Sequence, residues 1–205
     1  MLRWGKVELT GGFLLVAALL FYLDTDGTLL WAGLAMGLHE LGHYAAVRLL
    51  GGRITYFRLT AVGGDMGLDR RRPLSYGREL AALLAGPGVN LALAWLSATL
   101  AGGREVLYLF AGLNLSLGVF NLLPIWPLDG GRAFSILLTA LLSPEWARRG
   151  AQLCSALLVA ALTASGAALL WRTGTNFTLL VMALWLSAGL FQPKREKQAQ
   201  KARRT

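Results

Sequence analysis

Six long apolar runs dominate the chain, separated by short polar segments. They cover roughly residues 9–23, 29–50, 79–100, 106–123, 150–171 and 176–191. Each approaches the ~20 residues that a helix needs to cross a bilayer, the first and last being shortest. In lipid only a helix satisfies its own backbone polar groups, so each run predicts a transmembrane helix. The first run follows Arg3 and Lys6, as a signal peptide would. It ends in Asp24-Thr25-Asp26 and lacks a small-residue cleavage site, so it reads as a retained span. Between the second and third runs the pattern changes. Ile54-Thr55-Tyr56-Phe57-Arg58-Leu59-Thr60 is β-branched and aromatic, and Gly63-Gly64 offers a turn, which predicts a short β-hairpin within 53–68.

Composition agrees with the pattern. The chain has 205 residues, 55% of them hydrophobic and only 15% charged, against about 25% charged in soluble domains. One cysteine, Cys154, excludes an intrachain disulfide framework and a multi-cysteine zinc site. The net charge of +9 would suit nucleic acid, but the positions of the charges speak for topology instead. With six spans, only Arg104 and Arg172 fall on one side of the membrane, and every other lysine and arginine falls on the opposite side. The positive-inside rule makes that side cytoplasmic, so both termini and the hairpin face the cytoplasm. The expected fold is therefore an all-α polytopic membrane protein of about six transmembrane helices with a short cytoplasmic-side β-hairpin. Residues 1–192 form a single transmembrane domain, and 193–205 form a short basic cytoplasmic tail. A bacterial cell membrane fits this charge bias. The three Gly-Gly-Arg triplets at 51–53, 102–104 and 130–132 read as helix ends.

The chemistry lies in the second run. It contains His39-Glu40-Leu41-Gly42-His43, and these are the only histidines in the chain. Four residues apart on a helix, the two rings share one face. That spacing can hold zinc, and the glutamate between them can act on water that the metal activates. Two core histidines bonded to backbone carbonyls would be the plain alternative. It would leave Glu40 inside a span, where ionisable groups are costly and mark function. A catalytic zinc takes three protein ligands and keeps one position open. No third histidine exists, which turns the search for a third ligand to the acids. Asp129 follows Pro124 and Pro127, which break the helix after the fourth run and let the chain fold back. A turn role for Asp129 stays open, with Asp65, Asp69 or water in its place. Gly33 and Gly37 form a small-xxx-small pair suited to close helix packing.

HELGH on one span, with Asn121-Leu-Leu-Pro124-Ile-Trp-Pro127-Leu-Asp129-Gly130-Gly131 on a later one, resembles the site-2 protease family of intramembrane zinc metalloproteases. Gly86-Pro87-Gly88-Val89-Asn90 matches a further pattern of that family. The Pro-Ile-Trp-Pro-Leu-Asp-Gly-Gly wording is most similar to its sporulation branch, stage IV sporulation protein FB. The resemblance implies one Zn2+ per chain held by His39, His43 and Asp129, with Glu40 as the catalytic base. It implies regulated intramembrane proteolysis, of a transcription-factor precursor or an anti-sigma factor, near the cytoplasmic face.

Beside the resemblance, Asn121 is a candidate donor to the oxyanion, with Asn90 as second choice. A substrate helix must be unwound to be cut, and the strand at 54–59 is the expected edge to receive it. The expected partners are a single-span or membrane-associated protein substrate, the lipid bilayer and a regulatory membrane protein, with no nucleic acid. A catalytically inactive membrane scaffold and a metal-ion transporter are the alternatives. The transporter would need polar residues spread through several spans.

Overall fold

The computed structural model describes residues 2–4, 7–60, 63–69, 73–175 and 177–190. The basic tail and Arg70, Arg71 and Arg72 lie outside the described residues. The chain divides into two compact units, 1–121 and 122–205.

The first unit contains β1 (Leu2–Trp4), β2 (Val7–Leu9), α1 (Gly11–Leu23), α2 (Thr28–Leu49), β3 (Ile54–Thr60), β4 (Gly63–Leu68), α3 (Tyr76–Leu100) and α4 (Glu105–Asn121). Helices α2, α3 and α4 pack on one another. Local chemistry sets their ends. Thr10 accepts a hydrogen bond from the Phe13 N–H and so caps α1. The Asp24 carboxylate accepts from the N–H groups of Thr28 and Leu29. It thereby satisfies two of the unpaired donors at the start of α2 and complements the helix dipole.

The four strands form one sheet in the order β1-β2-β3-β4. The β2–β3 pair is parallel and the other two pairs are antiparallel. This corrects the expected lone hairpin. The N-terminal residues ahead of the first apolar run are two three-residue strands, and the second pairs with β3 some fifty residues away. Glu8 and Arg58 clamp that pairing with a 2.7 Å ion pair, and Glu8 is buried. Strand β3 therefore lies inside the sheet and is not the free edge expected of 54–59; among the described strands the edges are β1 and β4. Gly63 and Gly64 are paired within β4, so they are not the turn.

The second unit contains α5 (Asp129–Leu141), α6 (Pro144–Thr173) and α7 (Thr178–Leu190). Ser143 precedes Pro144 at the first turn of α6, where proline's missing N–H costs nothing. Helix α5 was not expected, because Asp129-Gly130-Gly131 reads as a turn by propensity. The third Gly-Gly-Arg triplet thus begins a helix and does not end one.

Six of the seven described helices fall on the six apolar runs. Two of them, α3 and α6, are long and apolar enough to cross a membrane. Helices α4 and α7, and the segment 13–22 of α1, are apolar but shorter.

Candidate metal centre

His39 and His43 lie one turn apart on α2, facing α3. His39 is buried, and His43 and Glu40 are half-buried. His43 Nδ1 lies 2.7 Å from the Ala82 carbonyl oxygen. A carbonyl only accepts, so Nδ1 carries the proton and Nε2 the lone pair. His39 Nδ1 faces Asn90 Oδ1 at 2.5 Å. The Asn90 amide donates to the Ala35 carbonyl at 3.2 Å and to Asn114 Oδ1 at 2.8 Å. Both of its protons thus have acceptors, and His39 Nδ1 must donate to the oxygen that remains.

The two Nε2 atoms stand 3.1 Å apart. With both Nδ1 atoms protonated, two neutral rings have no Nε2 proton to share. Neutral rings held this way present two converging Nε2 lone pairs, and paired neutral imidazoles are a zinc donor set. The two histidines therefore fit the metal on the geometry of their own nitrogens.

Helix α3 builds this arrangement with one residue per turn. Ala82 anchors His43 through its carbonyl, and Asn90 holds His39. Gly86 lies between them, where an added Cβ would collide with His43 Nε2 and stand 2.7 Å from Cδ2 and Cε1. The Gly86–Asn90 segment thus acquires a physical meaning: room for one ring, then an acceptor for the other. Close approach of α2 to α3 occurs at Gly42, whose Cβ would meet Val89 at 2.9 Å and the Ala85 carbonyl at 3.0 Å. It does not occur at Gly33 or Gly37, around which nothing lies within 4 Å.

Glu40 meets the sheet. A Cβ on Gly64 of β4 would stand 2.5–2.7 Å from the Glu40 carboxylate. Only a bare backbone fits there, so the strand passes directly against the acid.

In the second unit, Asp129 is half-buried and is the first residue of α5. The loop before it folds tightly onto the helix start. A Cβ on Gly130 would strike the Leu122 carbonyl, and one on Gly131 would strike the Ile125 backbone. Buried Ser155 of α6 pins the same loop. Its hydroxyl accepts from the Trp126 N–H at 3.0 Å and lies within reach of the carbonyls of Ala151 and Pro124.

Of the two oxyanion candidates, Asn121 ends α4 and donates one N–H to Leu117 O at 3.0 Å. Asn90 is fully buried and has no amide proton left for an oxyanion. Sequence reasoning missed Asn114 and Ser155. Each is a polar residue inside an apolar run, where burial without a partner is costly, and that is the signal that could have flagged both.

Residues 97–165 match the model of Peptidase family M50. Over that segment the chain is similar to this peptidase family. It is 32% identical over 169 residues to stage IV sporulation protein FB of Bacillus subtilis, covering 78% of this chain and 56% of that protein. It is 30% identical over 154 residues to a zinc metalloprotease of Methanocaldococcus jannaschii, covering 68% and 43%. The chain thus spans about half the length of these curated relatives. The solved structure of a site-2 protease from Methanocaldococcus jannaschii shares the fold. The TM-score is 0.71 at 24% identity, over 95% of this chain and 94% of that one.

Proposed function

We infer that the chain is an intramembrane zinc endopeptidase, a multi-pass protein of the cell membrane with both termini in the cytoplasm. The observation that carries this reading is the pair of histidine Nε2 atoms, 3.1 Å apart with both Nδ1 atoms held by acceptors. The match of residues 97–165 to Peptidase family M50 supports the peptidase class. Asp129 is assigned as third ligand to one Zn2+ per chain from its place in the Pro-Leu-Asp-Gly segment. Two neutral imidazoles and one carboxylate leave a zinc site at a net positive charge, which suits a developing oxyanion.

When bound, zinc supplies Lewis acidity that acidifies water and polarises a peptide carbonyl. Glu40, between the two histidines, removes the proton from the attacking water and returns it to the leaving amine nitrogen. Asn121 is the candidate donor to the oxyanion, through the N–H that Leu117 does not take. Asn90 is assigned instead to holding His39. The substrate is a single-span or membrane-associated protein, unwound near the cytoplasmic face. With β3 enclosed, strand β4 is the edge nearest Glu40 and is the proposed support for the unwound segment. A transcription-factor precursor or an anti-sigma factor fits this class of substrate, with a regulatory membrane protein as a further partner.

The test is cleavage of single-span reporter proteins co-reconstituted with the enzyme in lipid vesicles. Glu40→Gln should lose turnover while keeping its zinc. Retained turnover in that variant would overturn the reading.

A further inference from the structure

We propose that Asn114 and Asn90 form a two-amide relay that selects the tautomer of His39 and thereby sets zinc affinity from a third helix. The proposal rests on the metal-site reading above and goes beyond it, because Asn114 has no contact with either histidine among the bonds described.

The polarity of the relay can be traced from a fixed end. Asn114 Nδ2 donates to the Phe110 carbonyl of α4 at 2.9 Å. That carbonyl only accepts, so the amide cannot be turned round, and Asn114 Oδ1 must face α3. There it accepts from Asn90 Nδ2 at 2.8 Å. The second Asn90 proton goes to the Ala35 carbonyl of α2 at 3.2 Å, again an acceptor only. Asn90 is thus oriented at both protons, and its Oδ1 is delivered to His39 Nδ1. His39 must carry its proton on Nδ1 and present the Nε2 lone pair.

An amide is symmetric enough in shape to sit either way round. Without Asn114, only the longer 3.2 Å bond to the Ala35 carbonyl would resist Asn90 turning its Nδ2 toward His39, a turn that favours the tautomer whose lone pair points away from the metal. His43 needs no such device, because a backbone carbonyl fixes it directly. Both asparagines are fully buried at 0% exposure, where an incompletely bonded amide is costly. They are positioning residues, since neither amide is aimed at the reacting centre.

The test is a double-mutant cycle on the full chain in detergent. It reads zinc affinity by chelator competition and site geometry by the visible absorption of the cobalt-substituted protein. Asn114→Leu should weaken zinc ~10–100-fold, as loss of an outer-shell partner does, and should alter the cobalt spectrum. Asn114→Asp should stay within several-fold of wild type, because in either protonation state it offers Asn90 an acceptor. In an Asn90→Asp background an ionised carboxylate accepts through both oxygens, so no orientation is needed and Asn114→Leu should add no further loss. Equal losses from Asn114→Leu in both backgrounds would mean that Asn114 only packs, and would overturn the relay. So would a normal zinc affinity in Asn114→Leu. If that variant fails to fold, Asn114→Ala makes the same comparison without added bulk. A wild-type protein that binds no zinc would instead sink the metal-site reading itself.

Discussion

Adding a single methyl group at Gly86 should empty the metal centre while leaving the fold in place. The new Cβ would stand 2.7 Å from two carbons of the His43 ring, where ordinary contact begins at 3.4 Å. The ring must therefore retreat by at least about 0.7 Å, and its Nε2 by more, several times the ~0.2 Å within which zinc–ligand distances are held. Retreat also strains the 2.7 Å contact between Nδ1 and the Ala82 carbonyl. Loss of an outer-shell partner alone costs ~10–100-fold in metal affinity, so displacing a ligand should cost at least ~100-fold. Stability should change far less. Overpacking costs ~1–3 kcal/mol, and alanine in place of glycine inside a helix returns about 1 kcal/mol. Gly88→Ala, two residues on in the same helix, is the control, because nothing lies within 4 Å of its position. Chelator competition on the purified variants reads zinc affinity, and far-ultraviolet circular dichroism reads the fold. If Gly86→Ala binds zinc like wild type, the assignment of His43 Nε2 as a ligand is wrong. If Gly88→Ala loses zinc equally, the effect is one of helix packing and not of the ring.

Gly64→Ala would push a methyl into the Glu40 carboxylate and should lower turnover ~100-fold, the scale of a misplaced catalytic group. Zinc should be retained, and normal turnover would show that β4 does not constrain the acid. Ser155→Ala leaves the Trp126 N–H without its acceptor in a partly buried turn, so a loss of about 1 kcal/mol is expected. Thermal unfolding checks it, and an unchanged midpoint would mean that the loop before Asp129 is held elsewhere. Glu40→Gln should keep zinc and lose cleavage, as measured with reporter proteins in vesicles.

How much the sequence disclosed depended on the range over which each feature is determined. The helices could be read because an apolar run is a local feature of the chain. The convergence of His39 and His43 could be read because four-residue spacing fixes a shared helix face. Helix α6 begins earlier than its apolar run, at Pro144, since Glu145, Arg148 and Arg149 hid a start that Ser143-Pro144 signals. Strands β1 and β2 are three residues each, too short for any period; β2 exists through pairing with β3, and β1 through pairing with β2. Helix α5 was hidden because Gly130 and Gly131 are poor helix formers. They are required by the backbone that crosses them, a tertiary demand invisible along the chain. Asn90 could be recognised as a buried amide, but its partner could not. Oxyanion donor and ligand holder differ only in which helix faces it.

The most direct test of the central claim is the zinc content of the purified wild-type protein beside His39→Ala, His43→Ala and Asp129→Asn. A catalytic site with three protein ligands predicts about one zinc per chain in the wild type and its loss in all three variants. Zinc retained in Asp129→Asn would move the third ligand to another acid. Wild-type protein that stays free of zinc even after the metal is added back would contradict the metallopeptidase reading.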